Sequence, residues 1–252
     1  MEKLKISAVS YLNTYPFIYG IERSGILKNY RLEVDSPSVC AEKLMNGKAD
    51  IALAPVAILP QLPFYEILTD YCIGCNGAVK SVMLFSDVPI EKVKNIYLDY
   101  NSKTSVALVK MLCEKFWKIN PEFIDAEKDY EYEIKENSAG LVIGDRCFEM
   151  YNSHKFQYDL GEEWQKFCNL PFVFALWVST KKLSEEIKME LNEAILYGMK
   201  KKEELVNELS LEPINGVDMG EYLLHNISYE FDKQKKQALD LFLTSIYSTS
   251  KT

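Results

Sequence analysis

Histidine is nearly absent from this chain of 252 residues, His154 and His225 being the only two. A site built on imidazole ligands or on a histidine base therefore has little to draw on. His154 lies in a surface-like segment after a strand, and His225 on a C-terminal helix. Positive charge is also short: Lys and Arg number 29 against 37 Asp and Glu, a net charge of -8. That balance argues against nucleic acid or an anionic membrane as partner, because both need basic patches that release counterions. The one basic run, Lys200-Lys201-Lys202, is followed by Glu203 and Glu204 and reads as a solvated helix face. Long apolar runs are missing too, since IALAPVAIL and LPFVFALWV reach about half the length a membrane-spanning helix needs. The opening MEKLKISAVSYLN has no uninterrupted apolar core ending at a small-residue cleavage site, so a cytoplasmic protein without a signal peptide is expected. CIGC at 72–75 has the spacing of a redox or zinc pair, yet no second pair or His-x-His cluster accompanies it. Cys40, Cys72, Cys75, Cys113, Cys147 and Cys168 are expected to be reduced and mostly buried.

What the chain does have is apolar content, 48% of 252 residues, enough for one substantial core or two smaller ones. KLKISAVS is a buried-strand run, and Pro16 suits the first turn of a following helix, where its missing N–H costs nothing. Ser36-Pro37 announces a second helix that stops at Asn46-Gly47, and ADIALAP follows as a strand buried on both faces. The unit recurs: NIYLDYNSKTSVALVKMLCEKF is a strand, a Ser/Thr-rich turn and an amphipathic helix, and AGLVIGD resembles ADIALAP. Two similar α/β halves are expected, with AVKSVMLFS and LPFVFALWVS crossing between them. The C-terminal third reads as helical, with caps at Ser184, Asp218 and Asp232, and packs most simply on lobe one.

The functional signal lies in two strand-to-helix turns, SYLNT in the first half and NSKTS in the second. In open parallel sheets ligands sit beyond the carboxyl ends of the strands, where helix N-termini offer unpaired N–H groups and favour anions. Either turn alone reads better as ordinary helix capping than as a binding site. Matching positions in two lobes point instead to a cleft for a small anion.

SYLNTYP, NGKADIALAPVAIL, GAVKSVMLFS, SKTSVALVKML, LVIGD, LPFVFALWV and YLLHNISYEF resemble, in order and spacing, the chorismate dehydratase family of the futalosine route to menaquinone. The resemblance covers nearly the whole chain. Family members often have Gly-Pro-Val where this chain has Gly77-Ala78-Val79, at the entry of the strand after Ser81. The resemblance implies an α/β fold like a type II periplasmic binding protein, two lobes joined by two crossing strands around the ligand. We divide the chain into lobe one, 1–86 plus 176–252, and lobe two, 87–175. It also implies dehydration of chorismate to 3-enolpyruvyl benzoate by a hydro-lyase, with no metal or other cofactor and a small molecule as the only partner. By that resemblance Asn13 and Ser81 orient the reacting groups, Thr104 and Ser105 hold one carboxylate, and Ser10 and Tyr11 close the lobe-one side. Ser102, Gly144 and Asp145 complete the expected substrate contacts, and Lys103 is a further candidate that reads equally well as a solvated side chain. No Asp or Glu falls in SYLNT or KSVML, so the implied base is the enolpyruvyl carboxylate of the substrate. A non-catalytic solute-binding protein shares the fold, and the absence of an export signal counts against it.

Overall fold

The computed structural model describes residues 3–249; residues 1–2 and 250–252 of the expected lobe one lie outside them. The first sheet starts from β1 (Leu4–Val9), which pairs in parallel with β2 (Tyr30–Asp35) and β3 (Ile51–Pro55). Helices α1 (Tyr15–Arg23) and α2 (Pro37–Met45) make the crossovers. All five residues of β3 are buried, as its unbroken apolar run dictates. The second sheet repeats the arrangement. β6 (Asn95–Leu98) pairs in parallel with β7 (Glu122–Asp125) and β8 (Ser138–Ile143), and α3 (Lys103–Leu112) leaves β6 as α1 leaves β1.

Each parallel trio is extended by one antiparallel strand that comes from the far side of a lobe crossing. After β4 (Glu66–Cys75) the chain leaves the first sheet and enters the second as β5 (Val82–Ser86), antiparallel to β8 and to β9 (Phe156–Asp159). It returns through α5 (Leu160–Cys168) as β10 (Phe172–Ser179), which lies antiparallel between β3 and β4. The lobe boundaries therefore differ from those read off the sequence. Residues 82–86, expected in lobe one, belong to the second sheet, and 172–175, expected in lobe two, belong to the first. Both strands are buried on every residue, so their pattern marks them as strands without saying which sheet they join. The crossings are the short links 76–81 and 169–171.

The C-terminal region also departs from expectation. α6 (Glu185–Lys200) does pack on α1 and β4, and the N–H of Gly198 lies close to Gly20, whose missing side chain lets the two helices touch. α9 (Lys233–Thr249) instead packs on both β10 and α3, and Lys115 donates to the Ser245 carbonyl at 3.2 Å. Phe242 meets Phe172 and Trp164 edge-on, with ring centroids 5.0 and 6.0 Å away. Between α6 and α9 lie α7 (Lys202–Leu209), the single turn α8 (Met219–Glu221) and the edge strand β11 (Ser228–Glu230). In the loop before α8, the Asn215 amide donates to the carbonyls of Phe148 and Glu149, at the end of α4 (Arg146–Met150) in lobe two. The C-terminal third is thus a bridge across both lobes.

One carboxylate holds the outward crossing in shape. Asp159 ends β9 and caps α5, accepting from Gly161 and Glu162, and it also accepts from the N–H groups of Val79 and Lys80 at 3.0 and 2.6 Å. Lys80 is in the left-handed region at φ 61, which the carboxylate clamp on its N–H helps to hold. Asp159→Ala should lower stability by about 2–4 kcal/mol, seen as a lower urea midpoint, because four donors, two of them buried, lose their acceptor. Asp159→Asn should recover only part, having one acceptor oxygen where the carboxylate has two.

Candidate active site

The carboxyl ends of β1, β3, β6 and β8 face one another across a narrow cleft of about 60 Å³. Tyr11, Asn13, Ser81, Ser102, Thr104, Ser105 and Gly144 line it, so seven of the nine expected site residues are brought together. Ser10 is not: its side chain is exposed and its N–H donates to the Asp35 carbonyl, because the turn after β1 points residue 10 outward before residue 11 swings in. Asp145 does not line the cleft either. Pro55, Ile73, Val79, Phe174 and Ala175 contribute apolar wall. Among the described residues, none that lines the cleft is Lys, Arg, His, Asp or Glu.

On the lobe-one side, Leu12–Thr14 form a single tight turn leading into α1, and Asn13 is 7% exposed. Its side-chain oxygen accepts from the Thr14 hydroxyl at 3.2 Å, and its main-chain carbonyl accepts from the Tyr229 hydroxyl at 3.0 Å. On the lobe-two side, Ser102 caps α3, its hydroxyl oxygen accepting from the Ser105 N–H at 3.0 Å. That N–H, expected to hold a carboxylate, is therefore engaged. The hydroxyl of Thr104 is engaged as well: it accepts from the Ala57 N–H at 3.2 Å and donates to the Phe174 carbonyl at 3.1 Å, tying α3 to lobe one. What α3 leaves for a ligand is the first-turn N–H of Lys103 and Thr104 and the hydroxyl protons of Ser102 and Ser105. Lys103 itself is exposed.

Two further contacts join the lobes beside the cleft. The Tyr11 ring lies on Gly144, where a Cβ would sit 2.5 Å from it and where φ is +69, so glycine is needed twice over. The Leu12 N–H donates to both oxygens of Asp145 at 3.2 Å. Asp145 is accordingly a latch between lobes, and burial pushes its carboxyl up to about 6, against the opposing pull of the Leu12 N–H. Behind it Arg146 pairs with Asp99 and Glu131, and Asp99, fully buried and with its carboxyl raised by that burial, also accepts from Tyr130 at 2.9 Å and from the Asn101 N–H at 2.8 Å. This network fixes the turn that delivers Ser102 to the cleft.

Ser81 stands at the end of the crossing link. Its carbonyl accepts from the Gly144 N–H at 2.9 Å, and its hydroxyl oxygen accepts from the Tyr222 hydroxyl at 2.9 Å. Tyr222 and Tyr229 thus both hold site residues, and sequence reading missed them. Both lie in YLLHNISYEF, whose helical pattern speaks for packing and carries no sign of a partner more than a hundred residues away. Of the aromatics alternating along β10, Phe174 reaches the cleft, while Phe172 and Trp177 are core. His154 pairs with Asp87 at 3.0 Å and His225 lies 3.6 Å from Glu221, both outside the cleft. Cys72 and Cys75 are fully buried free thiols in β4.

Residues 4–248 match the menaquinone biosynthesis family. The chain belongs to that family. Among its relatives, the chorismate dehydratase of Thermus thermophilus is 23% identical over 244 residues, which are 87% of this chain and 88% of that protein. A crystal structure of an Archaeoglobus fulgidus protein superposes with a TM-score of 0.75 at 16% identity, over 99% of this chain and 98% of that one. The alkanesulfonate-binding protein of Xanthomonas axonopodis gives 0.62 at 11% identity, over 100% and 92%. A Candida albicans protein described as having the generic periplasmic binding protein fold gives 0.61 at 11%, over 100% and 95%. This member of the menaquinone biosynthesis family therefore has the periplasmic-binding-protein fold, as expected. No helix among the described residues is long and apolar enough to cross a membrane.

The latch makes a pH prediction. Asp145 keeps its proton to about 6 when folded and to about 4 when unfolded, so its contribution is fully present below pH ~4 and is lost as pH rises through ~6. Asp145→Asn, which keeps one acceptor for Leu12, should abolish that loss. Urea unfolding at both ends of the window should show the variant gaining on the parent by up to about 2–3 kcal/mol at the upper end.

Proposed function

We propose that the protein removes water from chorismate to give 3-enolpyruvyl benzoate, with the enolpyruvyl carboxylate of the substrate acting as base. The observation that carries this reading is a cleft between helix ends whose lining offers hydroxyls, an amide and N–H groups but no carboxylate, imidazole or amine. Membership of the menaquinone biosynthesis family and the similarity to a chorismate dehydratase supply the substrate. A dianion suits such a cleft, since neutral donors and the positive end of α3 can hold one carboxylate while the other remains a base.

In the reaction the C–H bond on the ether-bearing ring carbon breaks and its electron pair forms the third ring double bond. The hydroxyl on the neighbouring carbon leaves, and the proton taken by the carboxylate ends on that oxygen as water. Aromatisation supplies the driving force, so the protein chiefly has to hold the reacting groups in line, worth about 7–11 kcal/mol. Asn13 and Ser81 orient the enolpyruvyl and hydroxyl groups. The Ser102 and Ser105 hydroxyls, with the Thr104 N–H, hold the ring carboxylate, and Tyr11 covers the ring. Asp145 serves the closure of the lobes, and Ser10 takes no part.

Incubation of the purified protein with chorismate should yield a product lighter by one water in the mass spectrum. Chorismate returned unchanged would mean a binding protein. Asn13→Ala should lower kcat about 10²–10³-fold while cooperative unfolding is retained, and full turnover in that variant would remove Asn13 from the mechanism.

A further inference from the structure

Tyr222 belongs to the bridge between the lobes, and its side chain is fully buried on the turn Tyr222–Asn226. Its ring meets Phe148 of lobe two edge-on, with centroids 4.9 Å apart, while its hydroxyl faces Ser81 in the cleft. It donates to the Ser81 hydroxyl oxygen at 2.9 Å. Burial holds the phenol well above its ordinary pKa, so it stays protonated and has one proton to give.

The direction of these bonds follows from the inventory of donors. The Asn13 oxygen accepts from the Thr14 hydroxyl, so what Asn13 has left for a ligand is its amide N–H groups. Tyr222 spends its proton on Ser81. With an acceptor site of Ser81 filled, the Ser81 proton is directed outward. Its protein acceptor is the Val79 carbonyl at 3.5 Å, the outer limit of a hydrogen bond, so a ligand oxygen in the cleft competes for it easily.

We infer that Tyr222 is a positioning residue that sets the hydrogen-bond polarity of the cleft at Ser81, so that Ser81 presents its proton to the bound substrate. The assignment rests on the dehydratase reading for its kinetic consequence. Without the phenol proton, Ser81 is free to rotate and to accept, and a donor aimed at the leaving oxygen or at a carboxylate is lost for part of the time. Tyr222→Phe keeps the ring and its packing on Phe148 and removes only the hydroxyl.

In the full-length protein, Tyr222→Phe should lower kcat about 10–100-fold with KM changed much less. Combined with Ser81→Ala it should cost almost nothing further, because the phenol acts through Ser81. A merely structural tyrosine would give losses that add to those of Ser81→Ala, and wild-type kcat in Tyr222→Phe would overturn the assignment directly. Calorimetric titration of the same four proteins with chorismate reads the coupling without turnover. If the wild type binds but does not turn over, the dehydratase reading fails, and non-additive affinities would still uphold Tyr222. Additive effects in both measurements would sink it.

Discussion

Leaving a buried hydroxyl or amide without a partner costs about 1–3 kcal/mol, and around this cleft nearly every polar group is buried. The hydrogen bonds within the protein are therefore assigned first, and what they leave over defines what the cleft offers. Ser102 gives its acceptor to the Ser105 N–H, and Thr104 uses both sides of its hydroxyl on lobe one. Asn13 commits its oxygen, and Ser81 commits an acceptor site to Tyr222. The Thr104 hydroxyl has no proton left to give, whereas Ser102, Asn13 and Ser81 each keep a donor for the cleft. Among the described residues no cation lines the cleft, so on the proposed reading these donors are what an oxygen anion would meet.

That polarity exists only while the lobes are together. Thr104 reaches Ala57 and Phe174 across the gap, Leu12 reaches Asp145, and the Tyr11 ring rests on Gly144. Each contact joins a residue of one lobe to a residue of the other. The crossing links 76–81 and 169–171 set the separation, with Asp159 fixing the first of them. Periplasmic-type folds open about such links, but here α9 and the Asn215 loop also grip both lobes. Opening has to break these bonds or pivot about them, which favours a small aperture over wide separation.

Much of this was legible in the sequence, and for local reasons. Unbroken apolar runs before a polar turn identify β1, β3 and β8, and clusters of short side chains at the heads of α1 and α3 identify the facing turns. Residues 11, 13, 81, 102, 104, 105 and 144 follow from those turns and from family resemblance. Ser10 was misjudged because a turn can reverse side-chain direction within one residue, which composition does not record. The lobe boundaries moved because a strand buried on both faces carries no mark of its neighbours. Tyr222 and the bridging role of α9 stayed hidden because they depend on contacts between chain segments a hundred or more residues apart. Capping at Ser184 and Asp232 is present, whereas Ser36, an equally good cap by type, bonds Ser38 instead.

The absence of cationic side chains from the lining suits the proposed chemistry in a further way. A cation beside a carboxylate lowers its pKa by about 1–3 units, and a base weakened to that degree removes a carbon-bound proton correspondingly more slowly. Lys or Arg would bind chorismate more tightly and at the same time quench the group that has to react. Neutral donors that can be divided unequally between the two carboxylates avoid this conflict. In the proposed pose helix α3 would hold the ring carboxylate with several groups, while the enolpyruvyl carboxylate would meet only the few protons that orient it. Arg146 is nearby, but its guanidinium is neutralised by Asp99 and Glu131, so its charge supports the turn of lobe two without reaching the base.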